Sequence, residues 1–330
     1  MLGEVATKLK KNLISFNKRL QDRYQGEVDF DKQDLRARLH SEVGKLTLLE
    51  RLSNQRLQDW LAQEVVVGVD GSLNKVGVNF PHYLYLLQAL AKSTTQEDIL
   101  AAEVFCPLLA EVEAEIEQFR VQQQQEGKRY SQQEAATKLR TSLLAKLELQ
   151  VAIQAIQKWP VKLIMMDGSL IRYRIEAKDS WQQLRELALE KGVLLVGVIE
   201  EIATKELGAR LSSDLEGVYD RELLFGALEV GEMLELEFKL GLKTAFLRPS
   251  QDPQVIGLDI LKEQQDKLKI MADLIQTLTP KSGRGIPLWL DIVDNEVRIS
   301  NQMVESLVDS YLDPQLKRRL FASKRQERIY

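Results

Sequence analysis

Two residue types that carry much of enzyme chemistry are nearly missing from this chain. Its 330 residues include one cysteine, Cys106, and two histidines, His40 and His82. A single thiol excludes an intrachain disulfide framework and a thiolate metal cluster, and it suits a reducing cytoplasm. Cys106 itself, before Pro107 in an apolar segment, reads as a buried structural residue. Two imidazoles far apart in sequence leave no imidazole-rich zinc site and no HExxH chemistry. No apolar run approaches the ~18 residues of a bilayer span, and the start MLGEVATKLKKN has no signal-peptide core, so the expectation is a soluble chain with no membrane partner. GxxxxGKS or GxxxxGKT, GxGxxG after a strand, and GxSxG are all absent. P-loop ATPase, dinucleotide-binding and serine-hydrolase readings fall with them. Lys and Arg number 45 against 49 Asp and Glu, a formal charge of −4, which argues against coating the whole surface with nucleic acid but permits a local basic groove. Carboxylates must carry any catalysis.

What is present is a repeated device. Glu64 to Leu73 reads EVVVGVDGSL and Val161 to Leu170 reads VKLIMMDGSL. Twice an apolar segment delivers an Asp-Gly-Ser, at Asp70-Gly71-Ser72 and at Asp167-Gly168-Ser169. A short apolar run suits a buried strand, and an acid at its end stands where a buried sheet meets solvent, so both aspartates can converge on one site. Asp-Gly between strand-like runs is equally a hairpin signal. After Ser169 the residues Ile171, Tyr173 and Ile175 alternate with Arg172 and Arg174, as a returning half-buried strand requires. Turn and site are compatible readings.

In chain order, Leu2 to about Tyr24 carries an amphipathic helical stripe of Leu2, Val5, Leu9, Leu13, Phe16 and Leu20. A second stripe, Leu35, Leu39, Val43, Leu46 and Leu49, predicts a helix over about 31–51. Exposed stripes of this kind suit a homodimer or a larger partner. Strands are expected at 64–70, 75–80 and 83–87, with Pro81 as breaker. From Ile99 to Trp159 the pattern reads as helical, interrupted by the solvated run Gln122 to Gln125 and restarted by the capping box Ser131-x-x-Glu134. Glu148 lies among Leu147, Leu149 and Val151, on the wet face of that helix unless it has a chemical role. Helices at 181–191, 219–229 and 264–278 alternate with strands at 193–199, 234–247 and 255–260. The last 14 residues, from Lys317, hold six basic residues and one acid, a net +5 (6 − 1), and read as a solvated tail able to add phosphate contacts.

With VGVDGS at Asp70, LELQ at Glu148, LIMMDGSL at Asp167 and the late segment GIPLWLDIVDNEVRIS, the arrangement resembles the NurA family of DNA-repair nucleases. The separation from Glu148 to Asp167, 19 residues (167 − 148), is similar to that of the family's helix-then-strand element. The resemblance implies an α/β fold, an RNase H-like mixed sheet flanked by helices with an N-terminal helical extension. The implied division is a helical assembly region at 1–60, a nuclease domain at 61–312 with a helical insertion at about 107–158, and a basic tail at 313–330. It implies a metal-dependent deoxyribonuclease acting in DNA end processing and double-strand break repair, as a homodimer with a hexameric HerA-type ATPase. Asp70, Glu148 and Asp167 carry over as metal ligands, and Asp294 aligns with a fourth position that many relatives fill with histidine. An aspartate there can ligate a hard cation but cannot shuttle protons near neutrality as histidine does. Lys205 is the nearest substitute for a lysine that relatives hold after the second Asp-Gly-Ser. Clustered carboxylates repel and call for a cation, and two Mn²⁺ or Mg²⁺ ions per site suit oxygen ligands and phosphodiester hydrolysis. The alternative is a catalytically weakened RNase H-like adaptor for a DNA-translocating ATPase.

Overall fold

The computed structural model describes residues 2–27 and 32–322. The chain opens with helices α1 (Leu2–Glu27) and α2 (Lys32–Arg38), a π-helical turn, strand β1 (Leu46–Leu48) and α3 (Asn54–Leu61). Strands β2 (Val65–Gly77), β3 (Tyr83–Ser93) and β4 (Ile99–Phe105) follow, then α4 (Ala110–Gln125) and α5 (Gln132–Lys158). Next come β5 (Val161–Asp167), α6 (Leu170–Glu176), α7 (Lys178–Lys191), β6 (Leu194–Ile199), α8 (Glu206–Leu211) and α9 (Asp220–Leu223). The last part holds β7 (Glu232–Lys239), β8 (Leu242–Arg248) and β9 (Ile256–Leu261), and helices α10 (Leu268–Leu278), α11 (Leu288–Val297), α12 (Asn301–Tyr311) and α13 (Pro314–Leu320).

All nine strands join in one mixed sheet, ordered β1-β7-β8-β9-β6-β5-β2-β3-β4. Within it β2, β3 and β4 pair antiparallel, while β2 pairs parallel with β5 and β5 with β6. Parallel neighbours need crossovers, and α5 and α7 supply them. An antiparallel three-strand meander followed by two parallel strands beside its first member is RNase H-like topology. β5 is apolar almost throughout because both of its faces are covered. Ile164 and Met166 pack toward α5, α6 and α7, and Leu163 and Met165 toward α10 and α11.

Several expected elements differ. The helix expected over 31–51 stops early: Leu35, Leu39 and Val43 are buried, but Leu46–Leu48 pairs with β7 and closes the sheet edge. Residues 99–105 are a strand, paired with β3 from Ile99 to Phe105. The strands expected at 75–80 and 83–87 are the ends of two long ones, β2 and β3, so the first Asp-Gly-Ser lies inside a strand. Segment 171–175 is helical in α6, not a return strand. Helix 219–229 shrinks to α9, and 234–247 is a hairpin turning at Leu240 and Gly241, both at positive φ (51° and 77°), as a two-residue turn between twisted strands demands. The capping box at Ser131 and Glu134 is formed, and Cys106 is buried. The stripe of α1 stays exposed, Leu13 at 65%. In the basic tail Phe321 packs with Leu84 and Cys106, and residues 323–330 lie outside the described residues.

Candidate metal centre

Register brings the two repeated aspartates together. Val69 pairs with Met166 across parallel strands β2 and β5, so Asp70 and Asp167, one residue further on each strand, leave the sheet side by side. Val69 and Met166 both pack toward α5, and alternation therefore turns the aspartates to the opposite face. That face is covered by α11. It approaches β2 closely at Gly68, where a Cβ would lie 2.8 Å from Val293 Cγ2, and it presents Asp294. One carboxylate oxygen each from Asp70, Asp167 and Asp294 lie within 4.8 Å of one another, the one such acidic, His or Cys group among the described residues.

Glu148 arrives from the other side of the sheet. It sits on α5, only 1% exposed, and it passes the backbone of Gly71, where a Cβ would come 2.3 Å from Glu148 Oε1. It is not part of the three-carboxylate group. Its partner is Arg172 on α6, whose guanidinium donates to Glu148 Oε2. The buried Tyr173 hydroxyl donates to the Asp167 carbonyl at 3.4 Å. Asp294 pairs with Arg298 at 2.6 Å. Lys205 stands outside the group, 4.1 Å above the Tyr219 ring, and both histidines are elsewhere.

Burial and mutual repulsion raise the proton affinity of three of these acids. Asp70 is pushed up to about 8, first by burial and then by the charge of Asp167, against the Gly71 N–H that donates to it at 2.7 Å. Burial raises Glu148 to about 7 although Arg172 opposes it. Asp167 rises to about 6 through burial, then through Asp294 and Glu200. Such a set is unstable as bare anions, and a cation that replaces the protons relieves it. The donors are all carboxylate oxygens, which fit a hard divalent ion such as Mg²⁺ or Mn²⁺ and not a soft or imidazole-seeking one.

Three residues of this region escaped sequence reading. Arg172 alternates with apolar neighbours as in a strand, and nothing in its local sequence marks its partner Glu148. Arg284, in the loop before α11, pairs with Glu200 at 2.5 Å and Asp291 at 2.6 Å, and nothing in its Gly-rich context marks it. Asp259, 1% exposed, accepts from Ser169 Oγ (2.6 Å), the Leu170 N–H (3.1 Å) and Thr244 Oγ1 (2.7 Å). Its signal was visible as an acid inside the apolar strand IGLDIL.

Residues 64–299 match the NurA domain family. No match was found among curated proteins. Solved structures that superpose on the chain include the catalytic domain of human Endonuclease V, 14% identical, TM-score 0.40, covering 84% of this chain and 96% of that one. Ciona intestinalis Endonuclease V in complex with a 24mer DNA containing an inosine followed by a ribo-adenosine is 15% identical, TM-score 0.38, covering 88% and 99%. The assignment rests on the family match, which takes in both Asp-Gly-Ser segments, Glu148 and Asp294: the chain belongs to the NurA family of nucleases.

Proposed function

We propose that this chain is a divalent-metal-dependent deoxyribonuclease that hydrolyses phosphodiesters at DNA ends. The observation that carries the proposal is the convergence of Asp70, Asp167 and Asp294, from two strands and a helix, within 4.8 Å. These three residues would hold the metal, with Glu148 as the further ligand once Arg172 releases it. Two Mn²⁺ or Mg²⁺ ions, when bound, supply Lewis-acid activation of the attacking water and charge stabilisation at the leaving 3′ oxygen. The protein's own part is to hold Asp70, Asp167 and Asp294 together at the end of β5, with Glu148 behind Gly71, the raised Asp70 and Asp167 giving up their protons as the ions enter. Arg172, freed from Glu148, and Arg284 and Arg298, both more than half exposed, are placed to bind phosphate oxygens of the strand as forked donors.

The assembly reading is a homodimer joined through the exposed stripe of α1, working in the cytoplasm under a hexameric HerA-type ATPase that feeds DNA to it, in double-strand break repair. Supporting it, the second helical stripe is used up inside the chain while that of α1 is not. The experiment that tests the nuclease is cleavage of end-labelled single- and double-stranded DNA by the purified chain with Mn²⁺, then with EDTA. Cleavage that EDTA abolishes supports it. Absence of cleavage under every metal condition, with DNA still bound, would leave the adaptor reading instead.

A further inference from the structure

Strand β2 outlasts its parallel neighbour. β5 ends at Asp167, level with Asp70, whereas β2 runs on to Gly77 with β3 along one side only. The direction of each backbone group follows from the ladder. Val66 accepts from the Thr94 N–H, and Val78, just past the end of β2, donates to His82. The even-numbered residues of β2 therefore bond β3, and the odd-numbered ones turn their N–H and C=O groups to the other edge. There Val65 donates to Pro160, and Gly71, the first such residue past the end of β5, donates to Asp70 at 2.7 Å. Leu73 and Lys75 come next, both exposed, and their N–H groups have no hydrogen-bond partner among the described residues.

The same stretch carries side chains on the face of the carboxylates. Strand alternation puts Ser72 and Asn74 on the face of Asp70, Ser72 two residues and about 7 Å along. Gln88, opposite Ser72, donates to the Val297 carbonyl, and Asn74 donates to the Ile299 carbonyl at 3.0 Å, so the turn after α11 is fastened over this row. Between those two carbonyls stands Arg298, its side chain 64% exposed. Ser72 is half-buried, and its Oγ takes no hydrogen bond among the described residues. Its counterpart Ser169 is spent on Asp259.

A hydroxyl, two in-plane N–H groups and a guanidinium are all donors, and together they match the phosphate oxygens of a nucleic-acid backbone. A peptide strand laid on this edge would run into the end of β5, where the substrate of the aspartates must lie. We propose that the free edge of β2 is a rail for the DNA strand being cut. Ser72 Oγ and the Leu73 N–H bind the phosphate next to the one at Asp70, Asp167 and Asp294, and the Lys75 N–H, a further two residues along, binds the one after it. The proposal rests on the nuclease reading and adds to it the path of the strand. Contacts of this kind fix position and register and are indifferent to base sequence.

The test uses oligonucleotides in which one phosphate at a time is replaced by a neutral methylphosphonate, bound to full-length Asp167→Asn protein so that they stay intact. Replacement at one position beside the cleavage site should weaken binding about tenfold, the scale of hydrogen bonds to a charged group. Leu73→Pro removes the edge N–H without touching the β3 ladder. Combined with Ser72→Ala it should shrink that loss to below about twofold, because the contact is already gone. Leu73→Ala retains the donor and should retain the loss. In the otherwise wild-type enzyme Ser72→Ala should raise KM roughly fivefold with kcat within about twofold, the pattern of lost substrate binding. Should Leu73→Pro misfold, the Ser72→Ala protein carries the test alone, through its KM and a reduced loss at the same position. DNA that is cut by wild type but gives the same methylphosphonate profile with and without these substitutions overturns the rail and leaves the nuclease standing. So does a dimer that Leu73→Pro converts to monomer with DNA binding unchanged, which gives the edge to a second copy. A wild-type protein that neither cuts nor binds DNA overturns both.

Discussion

The same tripeptide serves twice in this molecule and is built differently each time. At Asp70-Gly71-Ser72 the chain continues straight through in β2, with Gly71 opposite Ala89. At Asp167-Gly168-Ser169 it leaves β5 with Gly168 at φ 101° and starts α6, whose first turn Ser169 caps by accepting from the Ile171 N–H at 3.2 Å. The aspartates are equivalent, since register sets them side by side. The glycines are not. Gly71 is needed for what lies outside the backbone, the carboxylate of Glu148, whereas Gly168 is needed for a backbone conformation, with nothing nearer than Arg172 Nη1 at 3.9 Å from its missing Cβ. A short motif can thus recur for its one chemical residue while its spacers answer to separate steric demands.

The largest expected effect breaks the equivalence of the aspartates with the metal. Asp167→Asn should lower kcat about a thousandfold, about 4 kcal/mol of transition-state stabilisation. In calorimetry without metal it should melt no lower than wild type, and it should gain less from added Mn²⁺. Normal cleavage by this variant would remove Asp167 from the site.

Next comes pH. Asp70 near 8, Glu148 near 7 and Asp167 near 6 all lie above the unfolded carboxylate range of about 4. The folded state therefore binds more protons than the unfolded one in this window. The stability contributed by these protonated acids is fully present below about pH 4 and is lost as pH climbs through 6 to 8. Urea melts in EDTA should show it falling between pH 5 and 8.5, and the stabilisation by Mn²⁺ growing over the same interval. A metal-free protein that becomes steadily more stable up to pH 8.5 would contradict the raised values.

The glycines give a smaller and sharper contrast. Gly71→Ala displaces Glu148 and should cost roughly 1–3 kcal/mol by overpacking, with a weaker response to Mn²⁺ in the same melt. Gly168→Ala meets open space, and its cost is backbone strain of about 1 kcal/mol. Equal losses in both would show that the two glycines have the same role. Smallest is the serine pair: Ser169→Ala removes the α6 cap and a bond to Asp259, about 1 kcal/mol, while Ser72→Ala should stay within about 0.5 kcal/mol.

How far these features were legible depended on how local their causes are. β5, β6 and β9 were readable because burial on both faces writes an unbroken apolar run. The recurrence of Asp-Gly-Ser pointed at a shared site for the same reason, since each acid ends such a run. By contrast β4, ILAAEVF, is too short for periodicity to separate strand from helix, and its partner lies in β3. The alternation Ile171-Arg172-Tyr173-Arg174-Ile175 imitates a strand, yet Leu170 and Tyr173, three apart, are the two fully buried positions of a helix. What overrides the pattern is the hold of Asp259, 90 residues away, on Ser169. Whether Glu148 faces water or the site turns on the clearance at Gly71, which belongs to another element. The pairing of Arg172 with Glu148 depends on the helical turn of α6 and leaves no local sign in the sequence.

The grip of Asp259 also has a mechanical meaning. Through Ser169 and Thr244 it ties the end of β5 to β8 and β9, strands that lie beyond the RNase H-like meander. The carboxylate of Asp167, two residues before Ser169, is thereby clamped from the C-terminal half of the sheet. A load on the strands β7 to β9, or on the edge strand β1 that the N-terminal region contributes, is transmitted to the position of that single side chain. The added half of the sheet is thus a brace, and a fragment ending at Ile199 would keep every strand of the meander and its parallel neighbours while losing both that brace and Asp294 of the carboxylate group.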